Sequence, residues 1–159
     1  MDIVDTNWLQ QLEVVIKVII AGCLGGVVGL ERELANRPAG LRTHAILASA
    51  AALLVGTADF LVMHFVGETA PAVLRADPIR VVEAIVTGVS FLGAGTIFRK
   101  RDGGTIEGLT TAASLLLVAA IGIVVALGQM LLAVLVTLVT LVMLRSVARM
   151  VGKRTSTKD

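Results

Sequence analysis

The chain of 159 residues contains little charge, few aromatic side chains and a single cysteine. Charged residues make up 16% of the sequence, whereas a soluble domain has roughly 25%. With 56% hydrophobic residues and a mean hydropathy of +0.90, the chain lacks the charge needed to cover a water-facing surface. This composition excludes most soluble enzymes and predicts a polytopic membrane protein.

The residues that several other classes of protein require are also missing. A net charge of +2, one tryptophan and four phenylalanines give no basis for nucleic-acid binding. The lone Cys23 cannot form an internal disulfide. The sequence contains no phosphate-binding loop, no His-Glu-x-x-His zinc motif and no serine nucleophile elbow. We therefore expect no enzyme activity, no resident cofactor and no nucleic-acid partner.

Long apolar segments are abundant instead. A membrane-spanning helix needs about 20 apolar residues, and five segments meet this requirement. The predicted fold is an all-α bundle of five transmembrane helices within residues 1–148, followed by a polar tail over residues 149–159. The predicted helices cover residues 9–30, 41–65, 79–98, 109–127 and 130–147.

The distribution of cations predicts the orientation of the bundle. Cytoplasmic loops carry an excess of Lys and Arg, and most of the 14 cations of this chain fall on one predicted side: Arg32, Arg37, Arg42, Arg99, Lys100, Arg101, Arg145, Arg149, Lys153, Arg154 and Lys158. The other side has Lys17, Arg75 and Arg80. We therefore expect the N-terminus outside and the C-terminus in the cytoplasm.

Small residues at helical spacing predict where the helices pack, because close approach of backbones drives association in lipid. Gly22 and Gly26, and Gly25 and Gly29, form two such pairs in the first helix, and similar patterns recur in the next three. The fifth helix consists mostly of Leu, Val and Met. We expect a tight bundle of helices one to four, with helix five facing lipid or another copy of the chain.

Acidic residues inside a membrane are costly and often functional. Glu13 is followed one turn later by Lys17 and is expected to form an ion pair with it. Asp59 and Glu83 are the candidates for an ion site, and Glu83 continues into Thr87 and Ser90 on one helix face. We expect this face to point into the bundle, with Arg80 as a possible partner of Glu83. If any metal binds, Mg²⁺ on Glu83 and Asp59 is the expected case.

The first loop contains the densest polar cluster of the chain. Glu31 and Arg32 close the first helix, and Arg42, Thr43 and His44 open the second. Between them lie Arg37, Pro38 and Gly40, with Arg37 placed to pair with Glu33. His44 is interpreted as a hydrogen-bonding residue at a helix end rather than a metal ligand.

Three segments of this sequence resemble the MgtC/SapB family of bacterial inner-membrane proteins. They are GGVVGLERELANRPAGLRTH over residues 25–44, RADP over residues 75–78 leading into FLGAGTI over residues 91–97, and GLTTAAS over residues 108–114. The resemblance implies a five-helix fold and a role linked to growth at low magnesium and to virulence. Its motif residues here are Glu31, Arg32, Arg37, Pro38, Gly40, Arg42, Thr43, Asp77, Gly93, Gly95, Gly108, Thr110 and Thr111.

Three hypotheses of function follow. The first is a regulatory or accessory protein that acts by contacting another membrane protein, or itself as a homo-oligomer, within the lipid bilayer. The second is an oligomeric Mg²⁺ transporter or channel that uses Glu83 and Asp59. The third is a lipid-handling protein in which Arg32, Arg37 and Arg42 hold headgroups.

Overall fold

The computed structural model describes the backbone of residues 3–65, 78–99 and 106–155, and confirms an all-α architecture. The five helices are α1 (Ile3–Leu34), α2 (Leu41–Phe65), α3 (Pro78–Thr96), α4 (Leu109–Ala126) and α5 (Met130–Thr155). A short antiparallel hairpin of β1 (Phe98–Arg99) and β2 (Ile106–Glu107) connects α3 to α4. The sequence analysis predicted a basic turn there and missed the two strands.

The helix boundaries differ from prediction mainly at polar ends. α1 begins before residue 9 and continues through Glu31 and Arg32 to Leu34, and α5 continues past residue 147 to Thr155. Hydropathy marks where a helix leaves the apolar layer, but the backbone hydrogen bonds of a helix continue beyond that point. Four helices, α1 to α4, are long and apolar enough to cross a membrane. The described apolar part of α5, Met130–Ser146, is shorter, so five spans remain a prediction.

α1 and α2 form the tightest antiparallel pair, and glycines of α1 make their close approach possible. A Cβ added at Gly25 would lie 2.6 Å from the carbonyl oxygen of His44 and 2.7 Å from the Cβ of Ala48. A Cβ at Gly29 would lie 2.7 Å from the Cα of Leu41. The small-residue face predicted for the first helix therefore packs against the first half of α2.

α4 lies at the centre of the bundle and packs against the other four helices. Its buried side chains include Leu115, Val118 and Ile121. Gly122 lets α2 approach, since a Cβ there would collide with the carbonyl oxygen of Ala48. The core is thus built from α1, α2 and α4, with α3 and α5 added on either side.

α3 and α5 each use one narrow face for packing. α3 contacts α4 through a face that contains Ile85, Val89 and Gly93. α5 buries Ala133, Thr137 and Thr140, and the two threonine hydroxyls donate to carbonyl oxygens one turn back in the same helix. The remaining Leu, Val and Met side chains of α5 are largely exposed, as the sequence predicted.

Gly25 and Gly26 provide a matched test of the α1–α2 contact. Gly25→Ala is expected to destabilise the protein by about 2 kcal/mol, because its methyl group would overlap backbone and side-chain atoms of α2. Gly26→Ala is expected to be neutral within about 0.5 kcal/mol or slightly stabilising, since its Cβ would meet the Ala45 Cβ at an ordinary 3.7 Å. Equilibrium unfolding in detergent measures both. Equal effects would contradict this packing.

Candidate functional site

The principal candidate site is a buried cluster of polar side chains at the end of the bundle where α1 ends and α2 and α4 begin. Polar groups at this depth are normally hydrogen-bonded, because leaving them unsatisfied is costly. We call this the polar cluster, and its members are Glu31, Arg32, His44, Thr111 and Ser114.

His44 connects the polar cluster across the bundle. Its imidazole is fully buried, with Nδ1 3.0 Å from the carbonyl oxygen of Gly40 and Nε2 3.0 Å from the hydroxyl of Ser114. The Ser114 hydroxyl also lies 2.8 Å from the carbonyl oxygen of Thr111, which can accept its single proton in place of Nε2. The ring therefore joins the first turn of α2 to the first turns of α4.

This arrangement has room for two protonation states. Because the Gly40 carbonyl can only accept, Nδ1 of His44 carries a proton in both. In the neutral ring, Nε2 accepts from the Ser114 hydroxyl; in the protonated ring, Nε2 donates to that oxygen while the hydroxyl donates to Thr111. The polar cluster can thus take up one proton by turning a single hydroxyl group.

Glu31 and Arg32 leave part of their hydrogen-bonding capacity unused. Glu31 is 8% exposed and Arg32 is 4% exposed, so both side chains are more than nine-tenths buried. Within the described residues, Oε2 of Glu31 and Nε of Arg32 have no hydrogen-bond partner. A buried acceptor and a buried donor left in this state each cost free energy. These two unsatisfied atoms distinguish the polar cluster from a contact that only holds helices together.

The loop between α1 and α2 has a defined backbone conformation. The amide of Arg37 donates to the carbonyl of Arg32 and that of Asn36 to the carbonyl of Glu33, which is the Schellman pattern of a helix end. Asn36 has the positive φ of 51° that this pattern needs, and Ala39 also has a positive φ, of 59°.

Glu33 holds the start of α2 instead of pairing with a cation. Its Oε2 accepts a hydrogen bond of 2.9 Å from the amide of Leu41. The pair predicted between Arg37 and Glu33 is wrong for the described residues, because this carboxylate binds the free amide at the helix start. A side chain at position 40 would crowd this carboxylate, since a Cβ on Gly40 would lie 2.5 Å from Oε2 of Glu33.

The other loop residues of the family motif point outward. Arg37, Pro38, Arg42 and Thr43 are exposed, whereas Arg32 is buried. The three arginines Arg32, Arg37 and Arg42 therefore do not form one exposed group that could hold a headgroup, as the lipid-handling hypothesis required.

Gly108 and Gly93 position α4, which carries two members of the polar cluster. Gly108 has a φ of +93°, and a Cβ on it would collide with the carbonyl oxygen of Thr96. A Cβ on Gly93 would contact the Cβ of Ala112 at 3.3 Å. Gly95, in contrast, has no heavy atom within 4 Å of such a Cβ, and Thr110 is exposed. Of these three motif glycines, Gly93 and Gly108 thus fix helix positions, and Gly95 lies on an open face.

The expectation that Glu83, Thr87 and Ser90 face the bundle interior is wrong. All three are exposed, because α3 packs on α4 through its apolar face instead. The hydroxyls of Thr87 and Ser90 donate to carbonyl oxygens one turn back in their own helix, at 2.8 and 2.7 Å. We call this outward-facing set the polar flank of α3.

The acid pair proposed for a metal is only partly described. Glu83 has no ion pair with Arg80 or with another described residue. The side chain of Asp59, and Asp77 as a whole, lie outside the described residues. Within the part of the chain that the structure describes, no group of three or more His, Cys, Asp or Glu residues is placed to hold a metal ion. The ion pair of Glu13 with Lys17 is confirmed, at 2.7 Å.

The sequence analysis did not identify the contact between His44 and Ser114. It assigned His44 correctly to a helix end, where the ring bonds the Gly40 carbonyl. Its second partner lies 70 residues away in sequence. The only indication of it was that Thr111 and Ser114 lie one turn apart on one side of an otherwise apolar helix.

These features define a polytopic helical membrane protein with a buried polar cluster at one end. Residues 18–153 match the MgtC family, and the chain belongs to this family. It is 37% identical over 137 residues to "Putative magnesium transporter YhiD" of Escherichia coli K12. It is 36% identical over 124 residues to protein SapB of Bacillus subtilis, and 34% identical over 142 residues to protein MgtC of Salmonella typhimurium LT2.

These alignments cover most of this chain but a smaller part of each relative. They span 83%, 77% and 87% of the chain, and 59%, 51% and 55% of the Escherichia coli, Bacillus and Salmonella proteins, respectively. The chain thus spans somewhat over half the length of these relatives. No solved structure matches it.

Ser114→Ala tests whether the His44 contact stabilises the fold. This change leaves Nε2 of the buried imidazole without its partner and is expected to cost about 1 kcal/mol. Ser90→Ala is the control, because that hydroxyl also bonds a carbonyl of its own helix but is exposed; its expected effect is within about 0.5 kcal/mol of zero. Unfolding of the detergent-solubilised protein measures the difference, and equal stability of the two variants would contradict a role for the contact.

Proposed function

We propose that this chain is a regulatory or accessory protein of the bacterial inner membrane that acts by contacting another membrane protein through the polar flank of α3. The role it serves is adaptation to magnesium limitation, in keeping with its family and the names of its relatives. The observation that carries the proposal is the exposed carboxylate of Glu83 within a helix long enough to span the membrane.

The position of Glu83 makes contact with lipid unfavourable. It lies five residues after Pro78, where α3 begins, which is about 7.5 Å along the helix axis. A charged side chain that faces hydrocarbon costs several kcal/mol, and such residues normally face protein or a water-filled cavity. No described residue of this chain provides an ion pair to Glu83. A partner protein with a cation or hydrogen-bond donor at this depth would supply what the described residues do not.

The residues beside Glu83 suit a helix–helix contact. Thr87 and Ser90 follow it at one-turn spacing, and their short side chains let a second helix approach closely. Their hydroxyls are already hydrogen-bonded within α3, so they add no unsatisfied polar group to such a contact. The carboxylate therefore provides the specific interaction and the small residues provide the close fit.

Site-specific photo-crosslinking in native membranes tests this proposal. A photoreactive residue at Thr87 is expected to give a discrete protein adduct, and Glu83→Gln in the same chain is expected to reduce it roughly fivefold, which corresponds to the loss of about 1 kcal/mol. The same residue at Leu138, exposed on α5, is the control and is expected to give no such adduct. An adduct with a second copy of the chain would assign the flank to a homo-oligomer. Absence of any adduct at Thr87 would contradict the proposal.

Mg²⁺ transport is a second candidate function, favoured by the name of the Escherichia coli relative and by the buried carboxylate of Glu31. Mg²⁺ keeps several waters and binds through one or two carboxylates, so acids from several copies would have to come together. The contact proposal predicts Mg²⁺ influx into liposomes containing the purified protein no greater than into empty liposomes. Influx that disappears in Glu31→Gln or Glu83→Gln would instead establish transport.

A further inference from the structure

The structure leaves a groove between α2 and α3. Both helices pack along α4, but they make few contacts with each other. The space between them has a volume of about 470 Å³ and is open to the surroundings. On the α3 side it is lined by residues such as Ala84, Gly88 and Leu92, and on the α2 side by Leu47 and Leu54.

The small residues of α3 that line this space do not fill it. A Cβ placed on Gly88 would have no heavy atom within 4 Å. Ala84 is exposed, and Leu54 and Leu92 remain 53% and 55% exposed although they line the groove. Atoms of α2 occupy the space beside the glycines of α1, but no described residue occupies the space beside Gly88. Its small size is therefore not explained by packing among the described residues.

The length of the groove suits a hydrocarbon chain. From Arg80 to Leu92 it extends about 18 Å along α3, which is comparable with half of the roughly 30 Å hydrocarbon core. Its walls are apolar and it is open to one side, so an extended acyl chain can lie along it.

One end of the groove carries a positive charge. Among the described residues that line it, Arg80 alone is charged, and the others are Gly, Ala, Val, Ile or Leu. Arg80 lies in the first turn of α3, near the membrane boundary, and is exposed without an ion pair among the described residues. A guanidinium forms strong bidentate hydrogen bonds with a phosphate. An apolar groove that ends at an arginine is complementary to a phospholipid.

We propose that the groove between α2 and α3 binds one phospholipid, with an acyl chain along Ala84, Gly88 and Leu92 and the phosphate on Arg80. This site is distinct from the polar cluster, and its Arg80 lies one turn before Glu83 of the polar flank of α3. The lipid fills the gap between α2 and α3 and so supports the position of α3. The proposal does not depend on the identity of any protein partner.

Native mass spectrometry of the full chain with phosphatidylglycerol tests the site. The wild-type protein is expected to retain one lipid per chain. Gly88→Leu fills the groove and is expected to weaken retention at least tenfold. Gly95→Leu is the matched control, since Gly95 is also an open glycine of α3 but does not line the groove, and it is expected to retain the lipid. Ala84→Leu is a second groove-filling variant in case Gly88→Leu does not fold.

The role of the Arg80 charge is tested separately from the shape of the groove. Arg80→Gln is expected to weaken phosphatidylglycerol retention about fivefold and to remove the preference for phosphatidylglycerol over a diacylglycerol with the same chains. Arg145→Gln, an exposed arginine of α5, is the control and is expected to change neither. Retention that is unaffected by Gly88→Leu and Ala84→Leu in folded protein would overturn the proposal. A wild-type dimer that either variant converts to a monomer would overturn it too, because the occupant would then be a second copy.

Discussion

The close approach of α1 to the start of α2 is the constraint on which the rest of the structure depends. Gly25 and Gly29 allow the backbone of α2 to lie directly against α1, with His44 between them. That placement buries the imidazole completely and brings it to Ser114 of α4. In lipid, where apolar side chains gain little by leaving the solvent, such close packing and buried hydrogen bonds supply much of the stability. The polar cluster is therefore a consequence of the glycine contact.

The sequence predicted the helices well, because the length of an apolar run is fixed by the thickness of the membrane. It predicted the contact face of α1 for a related reason, since glycines at one-turn spacing have few other uses. It failed at the hairpin, where Phe98–Arg99 and Ile106–Glu107 are too short to show an alternating pattern. It also missed the bond between His44 and Ser114, because no local pattern reveals a contact across 70 residues.

The orientation of α3 shows a more general limit. Glu83, Thr87 and Ser90 form a face that the sequence analysis placed inside the bundle, whereas the structure places it outside. In a soluble protein, the apolar side of a helix identifies the core. In a membrane both surroundings are apolar, so a polar or small face can equally mark a contact with another protein. A sequence alone therefore does not show whether such a face packs within the same chain.

The positions of the acids decide between the two proposed functions on physical grounds. α2 runs antiparallel to α1, and α3 antiparallel to α4, as the contacts of Gly25 with His44 and of Gly93 with Ala112 require. Glu31 thus lies at the end of the bundle where α3 ends, while Glu83 lies near the start of α3. Among the described residues Glu31 is the only buried acid, so these residues form no line of carboxylates between the two ends. An ion path through them would need acids from neighbouring copies, whereas the proposed contact surface lies on a single α3. The geometry of the described residues therefore favours the contact proposal over transport.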